Sequence, residues 1–270
     1  MARPRTQTRF GGKPALVLIA MLFGAGSASV RAQEPASSQP PLSKACQISD
    51  LTVATDHPLQ NVAAALRDGK ALRILAIGAS AVRRGAGSYV HQIEKLLEQA
   101  NKGIDVVVIN RGVSGELAAD AAVRIKTEVA LAEPNLLLWQ VGTNDALASV
   151  PLDQLEDTVT STVRWLKEHK VDVVLVGLQF VHPMAQDEHY KSVRELLRKI
   201  AAQQNVIIIR RYEAMKFLSQ AEQVAVDSLA DELAQMEGGY DCLAQYVARA
   251  IALGVFGKGL KNLGQKPAPK

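Results

Sequence analysis

Five short apolar runs recur along the chain, at 73–78 (RILAIG), 105–111 (DVVVINR), 135–142 (NLLLWQVG), 171–180 (VDVVLVGLQF) and 206–210 (VIIIR). Each is nearly continuous in Val, Ile and Leu and is bounded by turn signals. Between them, residues 87–100, 115–131, 152–169 and 187–204 repeat apolar positions with helical spacing. A strand that buries one face alternates polar and apolar residues. Continuous runs are expected of parallel strands covered on both faces by helices. The alternation therefore predicts a three-layer α/β/α sandwich with a mostly parallel, doubly wound, five-stranded sheet. A last helix is expected over about 240–253. In such sheets ligands bind beyond the carboxyl ends of the strands, so any chemistry belongs in the residues that follow each run.

The two ends of the chain read differently. Arg3, Arg5, Arg9 and Lys13 precede a short apolar run, Ala15–Phe23, and small residues lead to Val30-Arg31-Ala32. That is the tripartite order of a secretory signal peptide, with cleavage expected after Ala32. The apolar run falls short of the ~20 residues that span a bilayer, so no stable membrane anchor is expected after cleavage. Residues 33–45 are rich in Pro, Ser and Gln and read as a linker, 46–256 as the folded domain, and 257–270 as a mobile tail. The expected location is periplasmic or secreted. Five of the 31 basic residues lie in 1–32 with no acidic ones, leaving 26 basic against 27 acidic side chains. The remaining chain is nearly neutral, which argues against nucleic acid as a partner. The two cysteines, Cys46 and Cys242, can pair in an oxidising compartment and would then close a loop of almost the whole domain; two free buried thiols are the alternative. No CxxC or HxxxH spacing supports a metal site, and no organic cofactor is expected.

Three strand ends carry candidate chemistry. Gly78-Ala79-Ser80 follows the first run, Asn110-Arg111-Gly112 the second and Gly142-Thr143-Asn144-Asp145 the third. Taken singly, Ser80 is a helix N-cap, Gly112 a turn glycine and Asn144 an Asx turn. Taken together, the fold brings a hydroxyl, backbone N–H groups and a side-chain amide to one crevice. Those are the ingredients of a nucleophile with an oxyanion hole. Arg83 and Arg84 stand close by in sequence and read as a solvated basic pair.

The order Gly-x-Ser, Gly, Gly-Thr-Asn-Asp resembles the blocks of the SGNH, or GDSL-type, hydrolases. Leu136–Asn144 (LLLWQVGTN) and Gly239–Ala244 (GYDCLA) are similar to stretches in a set of exported bacterial members. The resemblance implies Ser80 as nucleophile and an oxyanion hole formed by the Ser80 N–H, the Gly112 N–H and the Asn144 amide. It further implies an Asp-x-x-His segment after the fifth strand. Here that segment is Asp231-Glu232-Leu233-Ala234, with Ala234 where the family places its general base, and no histidine lies beyond His189.

Three readings follow. The chain is an ester hydrolase with a relocated base, for which His182, His189, Asp231 and Glu232 are the candidates. Or it is a catalytically impaired descendant that binds a glycan or acylated ligand in the old cleft. Or it is an accessory envelope protein. The first, acting on a small-molecule or carbohydrate ester, is the expectation carried forward, with His182 after the fourth strand as the candidate base.

Overall fold

The computed structural model of the 270-residue chain describes residues 40–47, 57–78, 88–221 and 229–256, with backbone only at 220, 221 and 229–238. The proposed leader, residues 33–39, Ser80, Arg83, Arg84, the side chains of Asp231, Glu232 and Ala234, and the tail 257–270 lie outside the described residues.

The five expected strands form one parallel sheet: β1 Leu72–Ile77, β2 Val106–Asn110, β3 Leu136–Gln140, β4 Asp172–Val176 and β5 Ile207–Ile209, in the order β2-β1-β3-β4-β5. The continuous apolar runs follow from burial on both faces. Ile74 and Ala76, Leu136 and Leu138, and Val174 and Val176 point into one core. Leu75 and Ile77, Leu137 and Trp139, and Val173 and Leu175 point into the other. The helices are α1 Gln60–Arg67, α2 Tyr89–Ala100, α3 Ala118–Ala132, α4 Thr143–Leu147, α5 Leu152–Glu168, α6 Glu188–Gln204, α7 Arg211–Ala221 and α8 Leu229–Phe256. Helices α1, α2 and α8 cover the first core, while α3, α5 and α6 cover the second. Among the described residues no helix is long and apolar enough to cross a membrane.

Three helices are absent from the sequence expectations: α1, α4 and α7. The eight-residue α1 shows why. Its N-cap is Leu59, which offers no side-chain acceptor. The cap comes from 111 positions away: Asp172, at the start of β4, accepts from the Asn61 and Val62 N–H groups at 2.9 and 3.0 Å and from the Asn61 side chain at 2.8 Å. Asp172→Ala is expected to cost about 2 kcal/mol through loss of these bonds, read by urea denaturation.

The same carboxylate has a pH signature. Burial raises its pKa, although the Val62 and Asn61 donors pull the other way. The folded chain therefore holds this proton more tightly than the unfolded chain. Its contribution to stability is complete below about pH 4 and is lost as pH rises through the folded-state value. The stability of wild type relative to the non-titrating Asp172→Asn should accordingly fall as pH rises from about 4 towards neutrality. A flat difference across that range would remove Asp172 as the source.

Cys46 and Cys242 are disulfide-bonded, 196 positions apart. The bond ties a short 3-10 turn, Lys44–Cys46, to the middle of α8. Tyr246 donates its hydroxyl to the Cys46 carbonyl at 2.7 Å, the Ser43 N–H donates to Gln245 Oε1 at 2.7 Å, and Arg249 reaches the Pro40 carbonyl at 3.4 Å. Residues 40–45, the end of the stretch read as a linker, are thus seated on α8.

Candidate functional site

Strand order decides where the loops meet. The chain enters at β1, crosses to the β2 edge, and returns past β1 to β3. The residues after β1 and β3 therefore flank the point at which the winding reverses, where an open parallel sheet leaves a crevice. Pairing of Ala76 with Asn110 and of Ile77 with Trp139 brings the ends of β1, β2 and β3 level.

Two glycines make this edge possible. Gly78 has φ +119°, and a Cβ on it would collide with the Gln140 backbone. The end of β1 is therefore pressed against the end of β3, two residues before Ser80. Gly142 has φ +99°, and a Cβ would lie 2.7 and 2.8 Å from methyl groups of Leu197 and Leu178. Positive φ and missing space both demand glycine here.

The Gly142-Thr143-Asn144-Asp145 block is locked from several sides. Asp145 is only 2% exposed. Its Oδ2 accepts from the Gly142 N–H at 3.2 Å and its Oδ1 from the Ala118 N–H at 2.8 Å. The second bond caps α3, whose own N-cap, Leu117, has no acceptor. One buried carboxylate thus clamps the loop after β3 to the loop after β2. Burial raises its pKa, against the lowering effect of the two N–H donors. Asn144 Nδ2 donates one hydrogen to the Glu116 carbonyl at 2.9 Å, which fixes the plane of the amide. A primary amide has a second N–H, and among the described residues that donor has no partner. Glu116 is committed elsewhere: it holds Arg124 through two 2.8 Å bonds, which makes its carboxylate unsuitable as a proton acceptor.

Gly112 lies at the same edge, and its N–H donates to Asn110 Oδ1 at 3.0 Å. Thr143 Oγ1 accepts from the Gln179 N–H at 3.0 Å, and Gln179 takes the Tyr190 hydroxyl on its carbonyl at 2.6 Å. Three residues on, His182 opens a 3-10 turn, His182–Met184. It is exposed, and its ring meets Phe180 edge-on with centroids 6.0 Å apart. The distance from His182 to Ser80 lies outside the described residues, as does the side chain of Asp231, whose backbone is in α8.

The sequence reading missed a second buried charge. Arg211, the residue after the β5 turn, is 1% exposed and donates through Nη2 to Gln179 Oε1 at 3.0 Å. Its guanidinium lies 5.3 Å from the Tyr240 ring, and Tyr240 stacks on Tyr89 at 5.9 Å. Tyr89 in turn reaches Gln140 Oε1 at 3.5 Å. Burial pushes the Tyr89 phenol well above the ordinary tyrosine range, with Arg211 acting in the opposite sense. The only signal in the sequence was position, since Arg210-Arg211 follows a strand run.

Comparison with known proteins bears on this arrangement. Residues 45–256 match the non-GDSL lipase-like family. Esterase TesA of Pseudomonas aeruginosa is 24% identical over 110 residues, 41% of this chain and 54% of that one, so the chain spans about half the length of this curated relative. Among solved structures, a putative lipolytic protein of the G-D-S-L family from Desulfitobacterium hafniense superposes with TM-score 0.52 at 22% identity, over 66% of this chain and 99% of that one. Axe2, an acetylxylan esterase from Geobacillus stearothermophilus, superposes with TM-score 0.56 at 21% identity, over 66% and 93%. At these identities the structural likeness speaks for the fold.

Proposed function

The chain belongs to the non-GDSL lipase-like family, and from that membership we propose that it is a serine ester hydrolase of the SGNH kind. Its substrate is an acyl ester on a small molecule or carbohydrate. The observation that carries this reading is the Asn144 amide. It is pegged by the Glu116 carbonyl, on a turn clamped by buried Asp145, with its other N–H unpartnered among the described residues, at the edge where β1 ends at Gly78, two positions before Ser80 in sequence. A donor held in place before the reaction begins is what oxyanion stabilisation requires.

In this mechanism Ser80 attacks the ester carbonyl, and the tetrahedral oxyanion is met by the Ser80 N–H and the Asn144 amide. The Gly112 N–H joins them by leaving or sharing Asn110 Oδ1. The seryl proton needs an acceptor, and Ala234 stands where the family's histidine would be. His182, on the loop after β4, is the residue assigned to that role, and Asp231 is its competitor. Residues 1–32 act as a leader removed after Ala32, and the mature protein works outside the cytoplasm. The Cys46–Cys242 bond supports that location, because structural disulfides persist in oxidising compartments. Chemistry at Ser80 requires no metal or organic cofactor.

A second reading has its own support. With Ala234 at the base position and the Gly112 N–H bonded to Asn110, the cleft also suits a protein that binds an acylated or plain glycan without turning it over.

Treatment of the mature protein with a fluorophosphonate, followed by peptide mapping, separates the two. Label is expected on Ser80 and absent from Ser80→Ala. Labelling slowed about 10²–10⁴-fold in His182→Ala would identify the base; the same loss in Asp231→Ala alone would move that role to Asp231. A folded protein whose Ser80 stays unmodified supports the binding reading instead.

A further inference from the structure

The described core buries two charges at the carboxyl edge of the sheet. Asp145 has an evident task, and Arg211 has none in the mechanism above. Its position is costly twice over. A guanidinium at 1% exposure has lost its hydration. It also occupies the first residue of α7, where the helix dipole is positive and a cation is disfavoured. An apolar side chain of similar volume often serves stability as well as a buried ion does. A buried arginine at this place must be held by its partners, and what those partners position indicates its task.

The contacts indicate that task. Arg211 Nη2 holds the side chain of Gln179, whose backbone N–H is bonded to Thr143 Oγ1. Thr143 is the neighbour of Asn144, and Gln179 stands three residues before His182. The other side of the guanidinium rests on Tyr240, in the Gly239–Ala244 stretch of α8. We infer that Arg211 is a positioning residue for the cleft: through Gln179 and Thr143 it sets the turn that presents Asn144, and it fixes the start of the loop that carries His182. Arginine suits this work because its planar, forked donors engage an amide oxygen on one side while its face lies on an aromatic ring.

The kinetic part of this inference rests on the hydrolase reading; the structural part does not. Arg211→Met removes the charge and the donors at similar length. Gln179→Leu breaks the same link from a half-buried position and serves if Arg211→Met does not fold. Amide hydrogen exchange is followed over the whole mature protein, with turnover of p-nitrophenyl acetate measured in parallel and Ser80→Ala as the control. Both variants should exchange faster at 143–147 and 177–182, with protection of the β-strands unchanged. Where wild type turns over through Ser80, kcat should fall about a hundredfold, as expected for a small misplacement of a reacting geometry, with KM unchanged. Unchanged exchange at both loops overturns the inference. So does a rise spread over the whole sheet, which would mark Arg211 as merely structural. A normal kcat in the variants of an active enzyme also overturns it. Turnover that survives Ser80→Ala sinks the hydrolase reading instead, and exchange alone then decides the role of Arg211.

Discussion

Replacing Asn144 by alanine is expected to slow acylation of Ser80 about 10²–10³-fold while leaving the thermal midpoint close to that of wild type. The magnitude is that of removing one preorganised oxyanion donor. The small effect on stability follows from the local bonding. Among the described residues the Asn144 side chain makes one bond, to the Glu116 carbonyl, whereas the turn itself is held by Asp145 and by Gly142. Asp145→Ala provides the contrast. It uncaps α3 and frees the Gly142 N–H, so it should lose stability and rate together. Fluorophosphonate labelling rates and thermal denaturation of the two variants distinguish the cases. A drop of less than about threefold in Asn144→Ala would be far below the loss of a working oxyanion donor, and the amide would then be part of the turn alone.

The second large effect is on stability. Cys242→Ala, made together with Cys46→Ala so that no lone thiol remains, is expected to lower the unfolding free energy by about 5 kcal/mol in the chain-entropy treatment, at the top of the observed range for lost disulfides. The reason is the span. The bond closes a loop of 196 positions in the unfolded chain, so it removes nearly all long-range freedom between the N-terminal arm and α8. For a domain of this size the midpoint of thermal unfolding should fall by roughly 10–15 °C. The native contacts around the bond, including the Tyr246–Cys46 hydrogen bond, survive the substitution and do not change this difference much. Urea denaturation of wild type with and without reductant, beside the double variant, checks it. A loss below about 1 kcal/mol would mean that the reduced unfolded chain keeps the two segments together.

Much of this protein was legible in its residues. All five strands were placed within a few positions, because a strand buried on both faces must be almost wholly Val, Ile and Leu. The ends were less accurate. The runs 135–142 and 171–180 continue past Gln140 and Val176, since Val141 and Leu178 are buried as loop residues and hydrophobicity does not distinguish a strand from a buried turn. The final helix, expected over 240–253, extends from Leu229 to Phe256. Pairing of Cys46 with Cys242 was also foreseen, and needed only two thiols and the expectation of an oxidising compartment.

The sequence by itself thus determined the sheet and the pairing of its two cysteines, the sheet because its strands are written in contiguous residues whose solvation is decided by their own composition. The tertiary structure alone decided which polar groups hold the helices and loops in place. Asp172 caps a helix 111 positions away, Asp145 caps one 27 positions away, and Arg211 reaches Gln179 across 32. Nothing near any of these residues announces its partner. A buried charge becomes tolerable only once folding has delivered the donors or acceptors that replace water. Those pairings come into being with the fold: Asp145 and Arg211 tie together loops at the carboxyl edge of the sheet, and Asp172 seats α1 at the opposite edge.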